Sequence, residues 1–240
     1  MANIELIQFS GADELAKTVA EKWLDEIESA KRAGKTHHVA LSGGRIAQKF
    51  FAETVAQNEK RKISFERVHF FWADERCVPP DDSESNFRTA NELLFQPLNV
   101  SASQIHRLMG EASPEMAIKL AESDIHIVAR NNNGVPVLDL VLLGMGEDGH
   151  VASLFQNAIE RIANCNDFFL FVPDSPKPPP HRISVNVNVI AAAAQVWVMA
   201  SGDGKEFALR RSLDRNGNTP LARVIQLRAE TKIFTDVGLK

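Results

Sequence analysis

Short apolar runs recur along this chain with helically spaced stretches between them, and that alternation leaves few folds open. Residues 4–9, 37–41 and 68–73 read as buried strands, and residues 138–143 (LDLVLL) are the most strand-like of all. Residues 168–172, 183–187, 195–200 and 232–235 follow the same pattern. After the first run, Leu15, Val19, Trp23 and Ile27 recur every four residues, which is the spacing of one helix face. Ser10 stands where an N-cap belongs, with Asp13 three residues on, and Gly34 closes the segment. Further helical stretches follow Gly44, cover 86–95, run from Ser113 and Pro114 to Arg130, and cover 205–213. Strands joined by helices of this kind need crossover connections, which make neighbouring strands parallel. The pattern predicts an α/β fold in a single domain over residues 1–240. Its sheet is mainly parallel and flanked by helices on both faces, in a modified Rossmann-like arrangement.

Composition narrows the function. Apolar residues make up 44% and charged residues 24%, as in ordinary globular chains, so a disordered or collagen-like reading fails. No apolar run reaches the roughly 18 residues of a membrane span; Asp139 and Gln195 interrupt the longest. The N-terminal MANIELIQFSG has no basic segment before an apolar core, which predicts no secretory leader. Cys77 and Cys165 stand far apart, with neither disulfide-framework nor metal-site spacing, so a reducing, cytoplasmic compartment is expected. A net charge of −4 carries no overall footprint for nucleic acid. Any anion must be held by a local cluster of positive groups.

Ligands of open α/β sheets bind beyond the carboxyl ends of strands. Three polar segments fall there: 42–44 (SGG), 74–76 (DER) and 144–150 (GMGEDGH). In the first, Gly43 and Gly44 precede a helix start, where free N–H groups meet an anion. An ordinary tight turn has the same two glycines; Arg45 adds a guanidinium able to grip phosphate. In the third, three glycines, two acids and His150 crowd one loop. Histidine exchanges its proton near neutrality, so His150 is a candidate general base with Asp148 fixing its orientation. The competing reading is a histidine that caps or packs under a turn. In the second segment, Arg76 is a candidate phosphate clamp, and Asp74 a contact for a sugar hydroxyl or water. A solvated charged loop reads equally well. Residues 173–180 are proline-rich and form a stiff loop flanked by Lys177, His181 and Arg182, either a recognition wall or plain surface. Lys205, after SGDG, is a second candidate anion contact. His37, His38, His69, His106 and His126 read as structural or surface residues.

Four stretches in order resemble the 6-phosphogluconolactonase family, in the superfamily that also holds glucosamine-6-phosphate deaminase. They are 138–155 (LDLVLLGMGEDGHVASLF), 72–95 (WADERCVPPDDSESNFRTANELLF), 175–190 (SPKPPPHRISVNVNVI) and 201–213 (SGDGKEFALRRSL). The resemblance implies hydrolysis of 6-phosphoglucono-δ-lactone to 6-phosphogluconate in the oxidative pentose phosphate pathway, with no organic cofactor and no metal. It implies His150 as general base with Asp148 beside it, and Arg76 and Lys205 as phosphate contacts. Gly43 and Gly44 become the backbone cradle, and Arg182 lines the site. The implied partner is a small sugar phosphate lactone, with transient association with the pathway's dehydrogenases; nucleic acid and membrane are not partners.

The deaminase version places a carboxylate soon after the histidine, and this chain has none between Val151 and Gln156. Two departures stand out. Gln156 replaces a usual proline, and Arg45–Ile46–Ala47 replaces Ser-Thr-Pro after the glycines. Either Arg45 substitutes for the lost hydroxyls as an anion donor, or it fills the pocket or pairs with Asp74 or Glu75. The second case would leave a weakly active or non-catalytic sugar-phosphate-binding paralogue.

Overall fold

The computed structural model describes residues 3–131, 133–158 and 167–239; Cys165 lies outside them. Nine strands occur among the described residues: β1 (Asn3–Gln8), β2 (His37–Leu41), β3 (Val68–Trp72), β4 (Asp74–Arg76), β5 (Leu140–Gly144), β6 (Phe169–Val172), β7 (Arg182–Val185), β8 (Gln195–Ala200) and β9 (Glu230–Thr235). Six form one sheet in the order β1-β9-β8-β5-β2-β3, and every neighbouring pair is parallel. Leu140, Val141, Leu142 and Leu143 are all buried. Successive strand residues face opposite sides, so both faces of this central strand are covered.

The helices follow from the connections. α1 (Ala12–Arg32) and α2 (Arg45–Arg61) link strands that advance toward β3. α5 (Val187–Ala192), α6 (Glu206–Leu213) and α7 (Pro220–Gln226) link strands that advance the opposite way. Right-handed crossovers then put α1 and α2 on one face and α5, α6 and α7 on the other. The packing agrees: α1 lies against α2, and α7 lies against both α5 and α6. The seven α1 residues that form the periodic face, Leu15 to Ile27, are buried, and the Trp23 indole N–H donates to His37 Nε2 at 3.2 Å.

The strand order reverses between β2 and β5, both of which end in glycine-rich loops. That crevice is where this architecture binds ligands. A hydrogen bond from Ser42 Oγ to the Leu142 carbonyl at 2.8 Å ties the two strand ends together.

A second sheet, β4-β7-β6, is antiparallel, and the sequence pattern did not separate it from the first. Residues 74–76, expected in a loop, are strand β4. Ala73 makes the junction: its N–H donates to Leu41 O at 2.8 Å, and its carbonyl accepts from Val185 N–H at 2.7 Å. The acids that suggested a turn are buried here. The Glu75 carboxylate accepts N–H bonds from Arg76, Asn86 and Phe87 (2.7, 2.8 and 2.8 Å) and the Ser85 hydroxyl (3.1 Å), closing the start of α3 (Asn86–Ala90). Burial raises its pKa, against these donors. Glu75→Ala strands three N–H groups, that of Asn86 buried and those of Arg76 and Phe87 part-buried, and is expected to cost about 3 kcal/mol in chemical denaturation; a loss below about 1 kcal/mol would contradict this role.

Other boundaries shift for local reasons. Gly11, not Ser10, is the N-cap of α1, and the Ser10 hydroxyl instead donates to Glu14 Oε2 at 2.6 Å. Ser113 and Pro114 do open α4 (Pro114–Asp124), but it ends in a short 3-10 turn well before Arg130. The strand expected over 183–187 stops at Val185, because the Asn186 side chain caps α5.

Candidate active site

A cavity of about 410 Å³ opens at the crevice between β2 and β5. Its walls come from the turn into α2, the loop after β5, the proline-rich loop and the start of α6.

The turn into α2 is shaped by close approach. A Cβ on Gly43 would lie 1.8 Å from Asn86 Oδ1, so only glycine lets the Asn86 side chain lie there. Asn86 Nδ2 donates to the Asp74 carbonyl at 2.9 Å. The sequence reading missed this partner, although Asn86 sits at the start of an expected helix. The first helical bond of α2 runs from Gln48 N–H to Gly44 O, at 3.2 Å. The N–H groups of Arg45, Ile46 and Ala47 therefore have no intrahelical acceptor.

The loop after β5 carries His150. Its Nδ1 lies 2.5 Å from Asp148 Oδ1, and its backbone N–H reaches the same oxygen at 3.3 Å. A carboxylate accepts, so the Nδ1–H donates, and the tautomer leaves Nε2 as the proton acceptor. Hydrogen bonding from His150 lowers the Asp148 pKa to about 2. Two contacts fix the ring. It packs on Phe155 with centroids 4.5 Å apart. Below it, a Cβ on Gly146 would come within 2.1 Å of the ring Cε1 and Nδ1. The Gly146 and Gly149 N–H groups bond within the loop, to His150 O and Gly146 O.

The sequence-predicted residues Gly43, Gly44, Arg45, Asp74, Arg76, His150, Arg182 and Lys205 all line this cavity. Asp148 stands behind His150 rather than in the lining. Asp74 is buried; its Oδ2 accepts the Ser153 hydroxyl at 2.6 Å and lies 3.9 Å from Arg182 Nη1. Asp74 thus ties the His150 loop to the floor while still lining the cavity, where the sequence expects a contact with a sugar hydroxyl or water. Ser153 was another residue missed, since nothing local marks a buried serine.

Among the described residues, six cations line the cavity against two carboxylates, Asp74 and Glu147. They are not equivalent. Arg76 donates to the Glu84 carbonyl, with the Glu84 carboxylate 3.9 Å away. Arg182 is buried, and its guanidinium donates to the carbonyls of Lys177, Pro178 and Pro179 at 3.2–3.3 Å, holding the proline-rich loop as a wall. Lys49 pairs with Asp13. Lys205, just before α6, has its pKa lowered, chiefly by burial and then by Arg45. Arg45 is exposed at the cavity mouth and forms no ion pair with Asp74 or Glu75. Among the described residues, no group of three His, Cys, Asp or Glu side chains is placed to hold a metal.

A family model described as glucosamine-6-phosphate isomerases/6-phosphogluconolactonase matches residues 10–234. The chain belongs to this family. It is 32% identical over 207 residues to a 6-phosphogluconolactonase of Treponema pallidum, covering 86% of this chain and 85% of that one. A 6-phosphogluconolactonase of Mycobacterium leprae is 31% identical over 228 residues, covering 93% and 89%. In structure, a Thermotoga maritima 6-phosphogluconolactonase superposes with a TM-score of 0.80 at 27% identity, covering 97% of this chain and 98% of the other. The fold expected from sequence, a parallel sheet flanked by helices in one domain, matches these relatives in this family.

Proposed function

We propose that the chain hydrolyses 6-phospho-D-glucono-1,5-lactone to 6-phospho-D-gluconate in the oxidative pentose phosphate pathway. The observation that carries this reading is the Asp148-held His150 set into a cation-rich cavity. A lactone is an activated ester, so a positioned water and a base suffice. Nε2 of His150 takes a proton from water as the water oxygen bonds to the lactone carbonyl carbon. Asp148 stabilises the imidazolium that forms. The carbonyl oxygen becomes an oxyanion near backbone N–H donors. The N–H groups of Gly146 and Gly149 are bonded within their own loop and are not these donors. The ring C–O bond then breaks, and the ring oxygen recovers the proton from His150.

Lys205 and the start of α2 bind the phosphate, and Arg76 and Arg182 line the same cavity. Holding the phosphate fixes the carbonyl near His150, so distal binding serves positioning. Arg45 neither blocks the cavity through a buried ion pair nor removes a catalytic carboxylate, which favours the enzyme over a non-catalytic paralogue. In this reading the enzyme works in the cytoplasm and meets the pathway's dehydrogenases transiently. No helix among the described residues is long and apolar enough to cross a membrane.

The pH profile tests the base. A neutral imidazole is required, so kcat falls on acidification from pH 8 to 5, after the spontaneous rate is subtracted. Asp148, whose pKa is lowered to about 2 by its hydrogen bond with His150, contributes no fall over this range. Protonation of the substrate phosphate near pH 6 appears in KM instead. A kcat that stays flat over this range sinks His150 as the base.

A further inference from the structure

Arg45 breaks a local rule of its helix. It opens α2 at the positive end of the dipole, where acidic side chains are favoured and cations are not. No acidic residue sits in that first turn to offset it. Arg45 is exposed and has no ion-pair partner among the described residues. Two more cations, Lys177 and Lys205, line the same cavity, and both Arg45 and Lys177 oppose protonation of Lys205. Asp236 and Glu147 act the other way. Yet the Asp236 carboxylate is already engaged by the Ser201 hydroxyl at 2.7 Å and the Gly202 N–H at 3.0 Å. Local violations without a compensating contact mark functional positions.

On the lactonase reading of the cavity, we propose that Arg45 is a specificity-determining residue. It makes the phosphate end select a doubly charged phosphate ester, and the unliganded fold is less stable for carrying it. Its guanidinium offers a planar fork of donors that matches two phosphate oxygens at once, where a serine offers a single neutral donor. The anion adds negative charge at a corner where Arg45, Lys177 and Lys205 outnumber Glu147 and where the first turn of α2 offers no acid, so binding and relief of repulsion are one event. An uncharged sugar lactone, with nothing to offer that corner, gains nothing from Arg45.

The test compares the wild-type chain with Arg45→Ser and Arg45→Lys. Melting temperatures are measured with and without inorganic phosphate. Kinetics are measured on 6-phosphoglucono-δ-lactone and on the unphosphorylated lactone. Without phosphate, Arg45→Ser melts about 2 °C higher than wild type. Added phosphate raises its melting temperature less than it raises that of wild type. KM for the phosphorylated lactone rises about tenfold, with kcat within about threefold, and KM for the unphosphorylated lactone does not move. Arg45→Lys keeps the charge and falls between the two. If Arg45→Ser leaves the phosphate response and KM as in wild type, or if Arg45→Lys behaves like Arg45→Ser, the inference is overturned. The melting arm needs no turnover. An Arg45-dependent phosphate response in a chain without lactonase activity would keep this inference and remove the proposed function. Turnover with a KM indifferent to Arg45 would do the reverse.

Discussion

Replacing His150 by alanine lowers lactone turnover at least about 100-fold and leaves phosphate binding intact. The size follows from what general base catalysis contributes, typically 100- to 10,000-fold. The separation of effects follows from geometry. His150 meets Asp148 and Phe155, whereas the proposed phosphate donors belong to α2 and to Lys205 on other elements. Removing the ring deletes the proton acceptor without touching those donors. In kinetic terms kcat and kcat/KM fall together, as for an interaction made in the transition state. The binding half is checked by titrating 6-phosphogluconate against the variant. Turnover within about threefold of wild type would remove His150 from the mechanism.

Gly146→Ala is expected to approach the same loss without removing any reactive group. A Cβ there would sit 2.1 Å from two atoms of the His150 ring and 2.7 Å from Asp148 Oδ1. These are not the flexible ends of long side chains. The ring is trapped between this glycine and Phe155, and Asp148 is bonded to it. The pair must move together, and a displacement of about 1 Å in a catalytic group can cost about 100-fold. The expected result is a kcat lowered about 100-fold, with the far-ultraviolet circular dichroism of wild type. Full activity in Gly146→Ala would mean that the ring position is not what limits the rate.

Much of this arrangement was legible in the sequence because its signals are local. Strand-length apolar runs separated by helical periods determine a parallel sheet, and glycine-rich ends of β2 and β5 mark the crevice. His150 and Asp148 stand two residues apart, so their pairing needs no knowledge of the rest of the fold. What was not legible depends on distant partners. Asp74 and Glu75 read as solvent-facing acids, yet Ser153, Asn86 and Phe87 bury them from other elements. The second sheet escaped notice for the same reason, since β4 is three polar residues that pair with a strand more than 100 positions away. Helix α7 was a different miss: Thr219 and Pro220 carry the same capping signal as Ser113 and Pro114, and the Thr219 hydroxyl accepts the Ala222 N–H. The state of Arg45 was undecidable from sequence, because it turned on whether Asp74 and Glu75 already had other donors.

Lactone turnover by the purified protein is the most direct measurement. Fresh 6-phosphoglucono-δ-lactone is generated in situ, and 6-phosphogluconate is followed by its coupled oxidation, with spontaneous hydrolysis subtracted. Turnover well above the spontaneous rate, lost in His150→Ala, is the predicted result. No turnover above that rate, from protein that still binds 6-phosphogluconate, would contradict it and leave a sugar-phosphate-binding protein built on a lactonase fold.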